Sequence, residues 1–276
     1  MTESVRSQTK QLAGKLEGAA QKLNGALDQV LPLKSSVALL ENTLEDVCTP
    51  LVTVVENLKE IATLRSQADD AAQARARSLF EEVIRVVAGA KEGLRLAKQY
   101  RQKALEDAKQ LSAAVGAGSD DGCAGIIGDA ASKASGLLQE AESRRKRLEE
   151  ELGPKHPALP PAEKIRDRTE IASKAVENAH GGVSAACDKI GECKGMISTF
   201  EVPDSTPLDT VLSQLQAVDL ESSDSLPDAS DLESVAATSK QAHKEAGKFS
   251  DTSDIKAGIA SAKKLVSKAS KKLRAV

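Results

Sequence analysis

Apolar residues recur at alternating intervals of four and three positions along the first sixty residues of the chain. This spacing places them on one face of a helix, and it is the a/d heptad repeat with which one helix packs lengthwise along another. The repeat predicts a first helix over residues 9–64, about 80 Å long at 1.5 Å per residue. Its positions are Leu12, Leu16, Ala19, Leu23, Ala26, Val30, Leu33, Val37, Leu40, Leu44, Val47, Leu51, Val54, Leu58 and Ile61.

Two prolines, Pro32 and Pro50, lie inside this repeat. A proline within a helix lacks a backbone N–H and usually kinks the helix. Because the heptad phase is the same before and after each proline, the pattern predicts kinks or short breaks in one continuous helix rather than hairpin turns. The alternative is a new helix that begins at each proline and keeps the same direction.

The repeat lapses between residues 65 and 77 and resumes at Phe80, one position out of phase. We predict a chain reversal in this segment, although it contains no Gly or Pro and a helix could also continue through it. A second helix is predicted over residues 77–115. Arg101 interrupts its apolar face, and we expect the aliphatic part of Arg101 to lie along that face with the guanidinium in solvent. A buried pairing that fixes the register is the alternative.

The rest of the chain predicts three more helices and the segments that separate them. Residues 115–122 are rich in Gly and Asp and predict a loop, and four prolines within residues 153–161 predict a non-helical linker. Nine acidic residues and no Lys or Arg lie between Glu201 and Glu233. This composition predicts an irregular acidic lobe over residues 200–230 with one short helix near 208–215. The three further helices are predicted over residues 125–152, 162–197 and 231–273.

These elements predict an all-α fold, in which residues 1–276 form a single elongated antiparallel three-helix bundle or coiled coil. The first helix, the return helix, and the later helices laid end to end would form its three rows. The chain has no Trp, one Tyr and three Phe, so few aromatic rings are available to line a ligand pocket. Ala, Leu and Val instead suit narrow contacts between helices.

Charge and motifs exclude several classes of function. The net charge of −3 does not favour nucleic-acid binding. No stretch of about 18 apolar residues predicts a transmembrane helix, and residues 1–4 lack a signal-peptide core. This fits a cytoplasmic protein and equally a mature ectodomain whose signal and anchor were removed. No nucleotide-binding or nucleophile motif occurs, and His180, Cys187 and Cys193 match no standard zinc spacing. We therefore predict no enzymatic activity, no cofactor and no metal site.

The four cysteines, Cys48, Cys123, Cys187 and Cys193, are candidates for disulfide bonds. An even number permits two disulfides in three pairings. Cys187 and Cys193 lie six positions apart, on different faces of a helix, so they could bond to each other only if the helix breaks near Gly191. The alternative is four free thiols buried as small apolar groups.

A long first helix, a reversal near residue 70 and a long return helix together form a helical hairpin, with an irregular lobe later in the chain. In this arrangement the chain resembles the elongated helical-bundle surface proteins of African trypanosomes. That superfamily includes the glutamic acid/alanine-rich protein, the haptoglobin–haemoglobin receptor and, more distantly, the variant surface glycoproteins. The segment 51–114 is most similar to the receptor's hairpin, with the sequence LKEI at 58–61 before the turn and RLAKQYRQKAL at 95–105 on the return helix.

The resemblance implies a cell-surface ectodomain, held to the membrane by a trimmed C-terminal lipid anchor of the GPI type. It would act as a coat protein or as a receptor for a host or vector macromolecule, with protein ligands or neighbouring coat molecules as partners. The partner-binding residues would lie at the turn and include Arg65, Gln67, Asp69, Asp70 and Gln73. Two alternatives remain: an intracellular coiled-coil scaffold, and an amphipathic coat of lipid or polymer granules that uses the basic run 263–272.

Overall fold

The computed structural model describes residues 2–67, 69–116, 122–218, 228–248 and 251–275, and for residues 2–9 it describes the backbone alone. In these ranges the chain is helical with no strand, so the predicted all-α class is confirmed. The helices are α1 (Thr2–Arg65), α2 (Asp70–Val115), α3 (Cys123–Leu152), α4 (Leu159–Thr199), α5 (Thr206–Gln216), α6 (Ala229–Lys248) and α7 (Ser253–Arg274).

The first helix runs without interruption through Pro32 and Pro50. Every position of its apolar repeat from Leu16 to Ile61 is at most 4% exposed. Each proline removes one backbone hydrogen bond, but burial of the continuous seam holds the helix together across the gap. The prediction of one helix through both prolines is therefore confirmed.

The predicted reversal after the first helix is also confirmed. Glu60 on α1 and Arg75 on α2 form an ion pair with 3.2 Å between Oε1 and Nε, so the two helices run antiparallel. Helix α2 begins at Asp70, earlier than the predicted residue 77, because Ala72 and Ala76 are buried and extend its apolar face. The predicted start at residue 77 was wrong because the prediction looked for large apolar residues, whereas buried alanines are enough to pack this end of the helix.

Helix α2 ends at a glycine that no other residue could replace without strain. Gly116 has φ +78°, and its N–H donates to the carbonyls of Ser112 and Ala113. A Cβ atom on Gly116 would overlap the backbone of Gly122, so the two ends of the connecting loop touch. The predicted loop 115–122 has these two glycines at its ends, and its residues 117–121 lie outside the described residues.

Helix α4 begins at Leu159, within the segment predicted to be a non-helical linker. Pro160 and Pro161 occupy its first turn, where backbone N–H groups have no partner inside the helix and proline is tolerated. The predicted linker is therefore too long by three residues. In the acidic lobe the short helix expected near 208–215 is confirmed as α5, and residues 219–227 lie outside the described residues.

The predicted last helix over residues 231–273 is wrong as a single element, since it consists of α6 and α7. Asp251 accepts the Ser253 N–H on Oδ1 at 2.9 Å and caps the start of α7. Thr252, next to it, is fully buried outside any helix. The cap and the buried threonine begin a new helix where the sequence pattern predicted continuity.

The chain divides into two compact units. Unit 1 contains residues 1–34, 106–195 and 256–276, and unit 2 contains residues 35–105 and 196–255. In unit 1, contacts join α1 to α7 (Asn24 to Ser270, 2.8 Å), α7 to α4 (Ala269 to Gly182) and α4 to α3 (His180 to Gly128). Helix α3 in turn lies next to α1 around Gly136 and Leu12. Unit 1 therefore consists of four helices side by side, which we call its four rows.

Unit 2 also has four rows. Contacts join α1 to α2 (Glu60 to Arg75), α1 to α6 (Cys48 to His243) and α2 to α5 (Lys91 to Asp209), and α5 packs on α6. The prediction placed three rows in the bundle because it laid the later helices end to end. In unit 1, α3, α4 and α7 instead lie side by side in three rows next to α1. In unit 2, α5 and α6 lie side by side in two rows.

Candidate functional site

The turn between α1 and α2 in unit 2 contains the five residues that the sequence proposed for partner binding. Arg65, Gln67, Asp69 and Asp70 are all exposed, and Gln73 is half-buried in the first turn of α2. Their position within nine residues of one tight turn brings them together. Ile61, Ala72 and Ala76 on either side of the turn are buried and anchor it.

Two of the aspartates also stabilise the start of α2. The Asp69 carboxylate accepts the Ala71 N–H at 3.4 Å, and the Asp69 carbonyl accepts the Gln73 N–H at 3.1 Å. Asp70 lies in the first turn, where a negative charge interacts favourably with the helix dipole. Their acidity therefore has a structural explanation besides any role in binding.

The structure adds Asp228 to this surface, which sequence reasoning missed. Asp228 precedes α6 and accepts the Ser230 hydroxyl at 2.7 Å and the Asp231 N–H at 3.1 Å. These hydrogen bonds, and after them the positive charge of Arg65, hold the pKa of Asp228 below its usual range. Since 163 positions separate Asp228 from Arg65, no local pattern could have placed them together. We call Arg65, Gln67, Asp69, Asp70 and Asp228 the turn surface.

None of the four cysteines forms a disulfide bond in the structure. Helix α4 is unbroken through Gly191, so Cys187 and Cys193 face different directions and the condition for a bond between them is not met. Burial raises the pKa of all four thiols. In unit 1, Cys123 lies within electrostatic range of Cys187 and its thiol is 3.7 Å from the Ala114 carbonyl oxygen.

Two of the three histidines, His180 and His243, contact another helix. In unit 1, the His180 ring packs on Gly128, and its buried Nδ1 has no hydrogen-bond partner. In unit 2, His243 Nδ1 lies 2.9 Å from the Cys48 carbonyl oxygen. Across the described ranges, no group of three or more His, Cys, Asp or Glu side chains is arranged to hold a metal ion.

An open groove in unit 2 is lined by three basic and three acidic side chains. They are Lys98, Arg101, Lys248, Glu201, Asp204 and Glu245. Lys98 pairs with Asp204 at 3.2 Å, and Arg101 donates from Nη2 to the Ser198 carbonyl oxygen at 2.6 Å, at the C-terminal end of α4. The Lys98–Asp204 pair therefore neutralises part of the charge of the groove.

Comparison with known proteins adds no relative. No protein family, curated protein or solved structure matches the chain. Among the described residues, no helix combines the length and the apolar character needed to cross a membrane.

Proposed function

We propose that this chain is a non-enzymatic cell-surface ectodomain, acting as a coat protein or receptor that binds a host or vector macromolecule through the turn surface. The observation that supports binding is that exposed charged residues and buried apolar residues lie side by side at the turn between α1 and α2 in unit 2. Exposed Arg65 follows buried Ile61 by four residues, and exposed Asp69 and Asp70 come just before buried Ala72. Polar side chains held in place by a packed scaffold are a common arrangement for recognition.

The charge of the turn surface indicates the chemistry of its partner. Three carboxylates and one guanidinium give it a net negative charge at neutral pH. A partner with a basic patch would be attracted to it, and the attraction would weaken as salt is added. The resemblance described above supports a location at the cell surface, where a lipid anchor would hold the chain to the membrane.

The burial of α7 argues against the alternative of an amphipathic coat on granules. Its apolar residues Ile259, Ala262, Val266, Ala269 and Leu273 are each at most 4% exposed within unit 1. Inserting this face into a lipid or polymer surface would require α7 to leave the unit, with loss of that burial. The basic side chains of α7 form the opposite, solvated face.

A binding experiment tests the turn surface. The chain is immobilised, proteins captured from host serum and vector fluid are identified, and each is purified and measured against the wild type. D69N/D70N removes two negative charges and keeps a good helix cap, because Asn caps as well as Asp. We expect it to weaken binding roughly tenfold. The matched control E81Q/E82Q removes two charges further along α2 and should leave affinity unchanged. Equal effects of both pairs would overturn the proposed site.

A separate experiment tests the location. A membrane-impermeant amine reagent applied to intact source cells should label the chain, and a phosphatidylinositol-specific phospholipase should release it. Labelling that requires cell lysis would contradict the surface assignment and favour an intracellular scaffold.

A further inference from the structure

The hairpin that α3 and α4 form in unit 1 leaves much of its apolar surface uncovered. Within residues 141–171, all of which the structure describes, Leu159 is the one buried apolar side chain. Leu152 is 46% exposed and Ile165 is 58% exposed, whereas every α1 seam residue from Leu16 to Ile61 is at most 4% exposed. Leu148, between Leu152 and the middle of α3, is half-buried.

The two helices of the hairpin nevertheless contact each other. Arg145 pairs with Glu163 across the hairpin, with 3.7 Å between Nη1 and Oε1, and with Glu149 one turn along α3 at 3.0 Å. The exposure of Leu152 and Ile165 is therefore not caused by separation of α3 from α4. These side chains belong to a formed helix pair with one side still open.

A reversal of charge is centred on Leu148. The four residues before it, 144–147, are all Arg or Lys, and the three residues after it, 149–151, are all Glu. Lys146, Arg147, Glu150 and Glu151 are exposed, and none of these four has an ion-pair partner in the described part of the chain.

This order of charges is unfavourable for α3 by itself. Helix α3 ends at Leu152, so its last turn is acidic and contains no basic residue. The helix dipole disfavours negative charge at that end, and an acidic residue placed four positions after a basic one is the weaker orientation of a helical ion pair. An external basic partner at the acidic end, together with an acidic partner at the basic end, would compensate both effects.

We propose that this hairpin surface, comprising Leu148, Leu152, Ile165 and the charged residues 144–151, pairs with the same surface of a second copy of the chain. In an antiparallel arrangement with the two-fold axis at Leu148, Lys146 lies opposite Glu150 of the second copy, and Glu150 lies opposite Lys146 of the second copy. Two hairpins then supply four helices, the number of rows found in unit 1. The interface is isologous, because the same residues contribute from both sides.

The charge pattern selects this occupant over others. A partner of single sign, such as an anionic surface or a basic peptide, would be attracted by one half of the run and repelled by the other. A second copy in the antiparallel orientation matches both halves. This inference does not depend on the proposed function, since it concerns a different unit and a different partner.

Sedimentation equilibrium of the full chain over a wide concentration range tests the proposal. We expect a reversible monomer–dimer equilibrium. K146E/R147E makes the run entirely acidic after residue 145, and E150K/E151K makes its second half largely basic, so each variant alone should dimerise roughly tenfold more weakly or worse. Mixed in equal amounts, the two variants should form a heterodimer in preference to either homodimer, because four of the six charge pairs across the axis are then of opposite sign, against two in each homodimer.

The E150K/E151K variant separates association from folding. Lysines in the last turn of α3 interact favourably with the helix dipole, so the monomer should unfold at the same or a higher temperature while dimerisation weakens. Ile165→Asn should also weaken dimerisation. The control Leu31→Asn changes an α1 residue that is 68% exposed and should not. A chain that stays monomeric at every concentration would overturn the proposal. So would a dimer that K146E/R147E, E150K/E151K and Ile165→Asn all leave unaffected.

Discussion

His243 Nδ1 lies 2.9 Å from the carbonyl oxygen of Cys48, and the Cys48 thiol lies 3.8 Å from the carbonyl oxygen of His243. The two residues are separated by 195 positions, and their reciprocal contacts join α1 to α6 in unit 2. Gly247, one turn further along α6, also approaches the Cys48 sulfur. The contact fixes the register of α6 against the long first helix.

Replacing His243 by Ala should therefore destabilise unit 2. The substitution removes the imidazole that hydrogen-bonds the Cys48 carbonyl and leaves a gap between two packed helices. We expect a loss of about 1–2 kcal/mol in the free energy of unfolding, measured by urea denaturation followed by circular dichroism.

His156 offers a matched control for this measurement. It is exposed in the connection between α3 and α4, where His156→Ala should change stability by less than about 0.5 kcal/mol. Equal losses for His243→Ala and His156→Ala would show that the contact with Cys48 contributes nothing to stability.

The burial of the thiols predicts slow alkylation. Because burial raises the pKa of every cysteine, a smaller fraction of each is thiolate at neutral pH than in a free cysteine. Cys123 and Cys193 are buried and should react more slowly with iodoacetamide than half-buried Cys48 and Cys187. Mass spectrometry of each site over time measures this order.

Unfolding without reductant should expose four reactive thiols, and a count of two or none would indicate disulfides instead.

The same pKa shifts predict the direction of a change in stability at alkaline pH. A raised pKa in the folded state means that the folded chain holds thiol protons more tightly than the unfolded chain. Stability is therefore unaffected below the thiol pKa of the unfolded chain, about 8.5, and falls as pH rises above it. Thermal unfolding between pH 7 and 10 measures the effect. A variant with all four cysteines replaced by Ala should lose part of this dependence, and an unchanged slope would contradict the assignment.

Periodicity predicted the helices well because burial along a helix is a local pattern. The seam of α1 crosses two prolines in constant phase, and that phase correctly predicted a continuous helix. The break between α6 and α7 was missed because it depends on one capping contact, from Asp251 to Ser253. The number of helices packed side by side was missed for a different reason. It depends on which helices are neighbours in space, and no local sequence pattern determines that.

The turn surface shows the same limit. Arg65, Asp69 and Asp70 could be grouped from the sequence because a single reversal brings them together. Asp228 could not, since it reaches the turn from the start of α6. A helix N-cap signal at Asp228 was available, but nothing local connects it with Arg65.

The guanidinium of Arg101 contacts the C-terminal end of α4, whereas the sequence predicted a solvated guanidinium, with a buried pairing that fixes the register as the alternative. Its Nη2 donates to the Ser198 carbonyl oxygen at 2.6 Å, where a helix ends and its carbonyls lack partners within the helix. Arg101→Met retains the apolar stem and removes this donor, so we expect a loss of about 1–2 kcal/mol in urea denaturation. Arg101→Lys, which keeps the positive charge near the helix end, should lose less. Equal stability of wild type and Arg101→Met would show that only the stem matters.

Two glycines one turn apart on α2 should respond to alanine in opposite directions. A Cβ atom on Gly93 would overlap Cγ2 of Val47 on α1, whereas a Cβ atom on Gly89 would meet nothing within 4 Å. Gly93→Ala should therefore destabilise unit 2 by about 1–3 kcal/mol through overpacking, although alanine is the better helix former. Gly89→Ala has the same gain in helix propensity without the clash and should stabilise by up to about 1 kcal/mol.

Adding Val47→Ala to Gly93→Ala makes room for the new methyl group, so the double variant should lose less stability than the sum of the two single changes. Additive losses, or stabilisation by Gly93→Ala alone, would show that α1 and α2 are not in contact at this position.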